Sequence, residues 1–182
     1  LITTNPAASI KPLPVKIRRQ RMRLEEWQAL YDEAIKSEPP WMSRMLLLAL
    51  ITGQRRADLQ KMTFADVHDG HLYIVQQKTG ERIAIPLKLK LKSIGMSLGQ
   101  VIKSCRQYAA KGETLLRKQN GDPLGNNYLS ARFRSLFVRV FNRTDSGIRP
   151  TLHECRSLSE RLYRQQGIDT QVRLCHKSQR RP

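Results

Sequence analysis

The chain has 182 residues, enough for one substantial core with a linker or tail but hardly for two full-sized domains. Its 33 Lys and Arg against 15 Asp and Glu give a formal charge of +18, an excess that would self-repel unless the protein normally meets a polyanion, nucleic acid first and an anionic membrane second. The longest apolar run, "MLLLALI" at 45–51, is far too short to span a bilayer, and Cys105, Cys155 and Cys175 lack the spacing of a disulfide framework, so a cytoplasmic protein without a membrane partner is expected.

Residues 1–23 carry three prolines and then "KIRRQRMR", with no apolar period that could bury a face. They read as a basic interdomain linker or arm, either simply solvated or lying along phosphates. A single domain is expected over 24–182. Because the chain opens on Leu1 and not on Met, it is expected to be part of something longer.

From Leu24 apolar residues recur at helical spacing through Trp27, Leu30, Tyr31, Ala34 and Ile35, and "SEPP" closes this first helix. "WMSRMLLLALITG" predicts a buried helix ended by Gly53, and "RRADLQKM" a short one with Asp58 in its first turn, which places Arg55 at a helix junction. "HLYIVQQ" and "RIAIP", joined by "KTGE", predict a hairpin with Lys78 at or beside its turn. Residues 88–109 predict a helix weakened by Gly95 and Gly99, and 111–127 a loop. Helices are then expected over Tyr128 to Asn142 and over "ECRSLSERLYRQQG", with a short one at "DTQVRLCH". The fold class is mainly α with a small antiparallel β-sheet.

Several familiar chemistries fail on spacing. "HECR" has Ser157 where a zincin has its second histidine, and His153, Cys155, Cys175 and His176 depart from zinc-finger spacing. Neither a Walker loop nor a G-x-G-x-x-G is present, so no metal and no cofactor are expected. What remains is a set of cations and histidines at the ends of elements: Arg55, Lys78, His153, Arg156 and His176. Two arginine forks suit the oxygens of a phosphate, histidines can bond to them or move a proton, and a lysine on a hairpin could protonate a leaving alkoxide. Each also has a plain structural reading: Arg55 as a helix C-cap, Lys78 as a solvated turn lysine, and His153 bonded to backbone at a helix start. Cys155 and Cys175 read as packing residues.

The combination resembles the tyrosine recombinases, within them the lambda-type phage integrases. "TGQRRADLQKMTFADVHDGHLYIVQQKTGERIAIP" is similar to their first arginine block and lysine hairpin, "HECRSLSERLY" to their His-x-x-Arg block, and "VRLCHKS" to their Leu-Gly-His block. The resemblance implies their catalytic-domain fold and site-specific DNA recombination, as in phage integration and excision. Arg55 and Arg156 would hold the scissile phosphate, His153 and His176 would complete the cradle, Lys78 would be the general acid, and Asp58 would support the first arginine. It also implies double-stranded DNA attachment sites as partner, a tetramer on DNA for the full-length protein, accessory DNA-bending proteins, and the nucleoid of a bacterial host as location. Two departures stand out. Cys175 occupies a position where the family generally has glycine, and the nucleophilic tyrosine would fall beyond Pro182, since Tyr31, Tyr73, Tyr108, Tyr128 and Tyr163 all lie in the wrong blocks. Tyr163 is expected to pack on the face of its helix shared with Arg156. The 182-residue chain is therefore expected to bind DNA without cleaving it, either as a domain completed by a C-terminal segment or as the non-catalytic remnant of a defective prophage integrase. An RNA-binding protein is a third reading, without an RNP-like motif to carry it.

Overall fold

In the computed structural model, residues 21–125, 127–142 and 150–170 are described. Most of the predicted linker, residues 143–149 and most of the last predicted helix, with Cys175 and His176, lie outside them. Met22 is fully buried and Arg161 donates to its carbonyl, so the core reaches back just ahead of the first helix.

Among the described residues, six α-helices and two small antiparallel sheets build the body. Helix α1 (Leu24–Ser37) starts where the Arg23 N–H donates to Glu26 Oε2 at 2.9 Å, with Glu25 and Glu26 complementing the first-turn dipole. Of its apolar stripe, Trp27, Leu30 and Ala34 are buried, whereas Ile35 is 57% exposed. Helix α2 (Pro40–Thr52) begins on proline, which needs no N–H there, and ends on Gly53 at φ 59°. Every residue from Trp41 to Thr52 except Arg44 is buried. A helix apolar on all sides must be central, and α2 is packed by α1, by α3 (Arg56–Lys61), by α4 (Leu98–Gln107) and by α6 (His153–Gln165). Helix α5 (Tyr128–Phe141) packs on α1, with Leu129, Phe133, Leu136 and Phe137 inward. Across that contact Arg132 and Arg139 both pair with the Glu38 carboxylate, whose side chain is 1% exposed.

The predicted hairpin is present as β2 (His71–Val75) and β3 (Arg82–Pro86), with Leu72 opposite Ile85 and Ile74 opposite Ile83 on the inward face. A short β1 (Val67–His68) extends it to three strands in the order β1-β2-β3. The predicted helix over 88–109 is corrected. Its first half is β4 (Lys90–Leu91), a 3-10 turn and β5 (Met96–Ser97), and α4 starts only at Leu98. Leu89 and Leu91 are buried at strand spacing, and Gly95 at φ 68° ends the 3-10 turn. A capping box opens α4, Gln100 N–H to Ser97 Oγ and Ser97 N–H to Gln100 Oε1. At Gly99 the backbone runs so close to Leu87 that a Cβ would meet its carbonyl oxygen at 3.3 Å.

The loop-like 111–127 stretch wraps around one buried cation. Arg117 is 1% exposed, and its guanidinium donates to the carbonyls of Cys105, Ala109, Lys111, Thr114 and Leu115. It is flanked by the Phe64 and Tyr108 rings, each centred 4.9 Å away.

Cys105 and Cys155 are fully buried, and burial pushes each thiol from the ordinary 9.0 up to about 12. Burial of the neutral thiols therefore favours the fold fully below pH 9 and is lost as the pH rises toward 12. At pH ~8 both are expected to resist iodoacetamide in the native chain and to react on unfolding, as mass spectrometry would register. Alkylation at native-state pH ~8 would contradict their burial.

Candidate phosphate-binding site

The site is built around the end of α2. Gly53 takes the left-handed conformation that stops the helix, and two residues later Arg55 becomes the N-cap of α3, its carbonyl accepting from Asp58 N–H and Leu59 N–H. Arg55 thus sits half-exposed at the predicted junction, with a guanidinium bond from Nη1 to Gln76 Oε1 at 3.2 Å.

Helix α6 arrives on the other side. Arg156 is 9% exposed and its Nη1 donates to Gly53 O at 2.8 Å, while one helical face further on Tyr163 OH donates to Ile51 O at 2.8 Å. Two side chains of α6 therefore satisfy carbonyls in the last turn of α2, where a cation also opposes the helix dipole. The C-capping role considered for Arg55 is filled by Arg156. Tyr163 is fully buried, and burial raises its hydroxyl well above the ordinary tyrosine value, so it packs on the face it shares with Arg156. A phenol so enclosed is unsuited to attack a substrate.

His153 occupies the first position of α6 and is exposed. It lines an open cleft of about 290 Å³ with Arg55, Arg56, Ser130 and Thr151. Of the predicted residues, Arg55 and His153 thus share this cleft, and Arg156 is bonded to the end of α2 two residues before Arg55. Lys78 stands exposed in the turn between β2 and β3, outside that cleft, and His176 lies outside the described residues.

Asp58 is 3% exposed, and its Oδ1 accepts from the N–H of Gln77 at 2.9 Å, in the lysine hairpin. Its backbone N–H donates to Arg55 O at 3.0 Å, while among the described residues the hydrogen bond of its carboxylate goes to the lysine turn and not to the Arg55 guanidinium. The residue that holds Arg55 is Gln76, which the sequence reading passed over. A signal was present: Leu72, Ile74 and Gln76 alternate as the inward positions of β2 and its continuation, and a polar side chain at an inward position requires a partner. Among the described residues no group of His, Cys, Asp and Glu could hold a metal ion, and no helix is long and apolar enough to cross a membrane.

The phage integrase family profile matches residues 20–180. Prophage integrase IntE of Escherichia coli K12 is 43% identical over 96% of the chain and 48% of its own length, and the integrase of Enterobacteria phage P21 is 40% identical over 97% and 48%. The chain spans about half the length of these curated relatives. Among solved structures, a lambda integrase dimer bound to a COC′ core site superposes with a TM-score of 0.86 at 37% identity, over 97% of this chain and 64% of that one. A lambda integrase tetramer bound to a Holliday junction gives 0.88 at 36%, over 98% and 51%. The lambda integrase catalytic core gives 0.75 at 36%, over 81% and 88%. A mostly helical body with small antiparallel sheets, the paired α2 and α6 termini and these matches agree: the chain belongs to the phage integrase family, the tyrosine recombinases of the lambda type.

Proposed function

We propose that this chain is the phosphate-binding body of a site-specific recombinase that cleaves and rejoins double-stranded DNA without a metal or cofactor. The observation that carries the reading is the anchoring of Arg156 on Gly53 O, two residues from Arg55, with His153 sharing Arg55's cleft. Cations so placed offer fixed donors to the non-bridging oxygens of one phosphate, and strengthen as charge builds on them.

In the proposed reaction a tyrosine hydroxyl, lying outside residues 1–182, attacks the phosphorus. The bond to the 5′ oxygen breaks, and that oxygen takes a proton from the Lys78 ammonium. A 3′ phosphotyrosine results, and attack by a 5′ hydroxyl of the partner strand reverses the step, so the energy of the phosphodiester is conserved. His153 and His176 bond the phosphate and assist the tyrosine's proton transfer. The +18 charge supplies non-specific attraction to duplex, and assembly as a tetramer on DNA is proposed from the likeness to the lambda integrase tetramer; accessory bending proteins rest on the family resemblance alone.

The test is a pool of nicked suicide duplexes with randomised core sequence. The 182-residue chain is expected to bind the pool, in a salt-dependent manner, and to form no covalent adduct. Continued at its C-terminus with the matching segment of the phage P21 integrase, it is expected to form an adduct that Arg55→Ala abolishes. An adduct from the 182 residues alone would refute the missing-nucleophile argument. Binding with persistent inactivity of the continued chain would favour the defective-prophage remnant, and a preference for structured RNA would remove the DNA reading.

A further inference from the structure

We propose that Gln76 is a positioning residue that locks the Arg55 guanidinium and the Lys78 turn into one unit, an inference that rests on the phosphate-cradle reading above. Its carboxamide oxygen has two acceptor sites, and both are in use: Arg55 Nη1 donates at 3.2 Å and Thr79 Oγ1 at 3.0 Å. Its nitrogen donates to Gln54 Oε1 at 2.8 Å, and Gln54 Nε2 donates in turn to Thr52 O at 3.1 Å. The chain of bonds therefore runs from the last residue of α2, through two glutamines, to the hairpin.

Gln76 and Gln54 are 1% and 3% exposed, so neither amide can exchange its partner for water without cost. The network also fixes which way the amide of Gln76 points. Turned over, its NH₂ would face the Arg55 donor and its oxygen would face Gln54 Oε1, leaving both contacts unsatisfied. Lys78 lies between Gln76 and Thr79, whose side chains meet at one oxygen, so this pinch holds it on the outside of the turn. A second anchor, Gln77 N–H to Asp58 Oδ1, holds the same turn to α3. A phosphate aligned on Arg55 then stands at a set offset from the turn that delivers the lysine to the adjacent leaving oxygen. Neither Gln76 nor Thr79 touches that phosphate; both act through the residues they hold.

The experiment uses the 182-residue chain without DNA and reads amide exchange by NMR at Gly80, whose N–H donates to Gln76 O at 2.8 Å. Arg55→Ala, a change outside the hairpin, and Thr79→Val are each expected to raise Gly80 exchange about three- to tenfold, and the double variant by less than the product. Thr79→Val is expected to shift the Arg55 Nε–H resonance, and Thr79→Ser to restore both readouts. Gln76→Leu should reproduce both effects together if it folds, and the Thr79 variants decide the question if it does not. Unchanged Gly80 exchange in Arg55→Ala, an unmoved Arg55 resonance in Thr79→Val, or multiplicative effects in the double variant would each overturn the coupling. DNA affinity measured separately keeps the two readings apart: loss of coupling with binding intact removes only this proposal, and coupling without binding removes only the cradle.

Discussion

Arg117→Leu is expected to destabilise the chain by about 3–5 kcal/mol, enough to unfold much of it at ambient temperature. The guanidinium is nearly inaccessible and pairs with no carboxylate among the described residues; five backbone carbonyls and two aromatic faces hold it. Removing it takes the charged donor from all five carbonyls, in α4 and the following loop, and leaves Leu115 O with the Tyr108 hydroxyl, which costs far more than a surface arginine would contribute. Lysine is not an adequate substitute, since its compact ammonium cannot reach carbonyls spread around a planar fork, so Arg117→Lys is expected to lose about 2 kcal/mol or more. Urea unfolding of the wild type and both variants, compared at constant m-value, measures the effect. A loss below about 1 kcal/mol for Arg117→Leu would mean that water replaces the guanidinium and the loop is not built on it.

Arg156→Leu is expected to fail in two ways at once. Gly53 O loses a charged donor at 2.8 Å, which is expected to cost about 2–3 kcal/mol, and DNA affinity falls about tenfold or more because one arm of the cradle is gone. Tyr163→Phe separates these effects. It removes a neighbouring bond of similar geometry, Tyr163 OH to Ile51 O, and is expected to cost about 1–2 kcal/mol while leaving DNA affinity unchanged. Equal loss of DNA binding in the two variants would show that Arg156 acts only by holding α6 on α2. In the chain continued with the phage P21 segment, loss of the covalent adduct in a folded Tyr163→Phe would contradict the assignment of that tyrosine to packing.

Those pairs also explain what was readable before the structure. Helix α2 could be read because its sequence is apolar on every side and ends in Gly53, so length, burial and stop signal agree. The positions of Arg55 at a helix junction and Lys78 in a hairpin turn followed from local punctuation. What they bond to did not, because Gln76 is 21 residues from Arg55 and meets it only where the hairpin comes against the α2–α3 junction, at Gln54, Arg55 and Asp58. Arg117 was hidden for another reason: its partners are backbone carbonyls, which any sequence supplies, so nothing in "KGETLLRKQNG" distinguishes a buried hub from one more surface cation. The false helix over 88–109 came from leucines that suit either period. Gly95 in the left-handed region and the Ser97–Gln100 box were the local cues that the true helix starts late. Asp58 was assigned to the site from resemblance, and the structure turns its carboxylate toward the lysine hairpin instead.

Arg55 offers the cleanest approach to the cradle itself, because it is half-exposed and the buried acceptor it would leave, Gln76 Oε1, keeps Thr79 Oγ1 as a donor. The decisive measurement is duplex DNA affinity across a salt series for the wild-type chain and Arg55→Ala, with unfolding curves to confirm that both are folded. If Arg55 binds a DNA phosphate, the variant binds about tenfold or more weakly, and the slope of log K against log salt flattens by about 0.9. Equal affinity and equal slope in the two folded proteins would contradict the account at its centre.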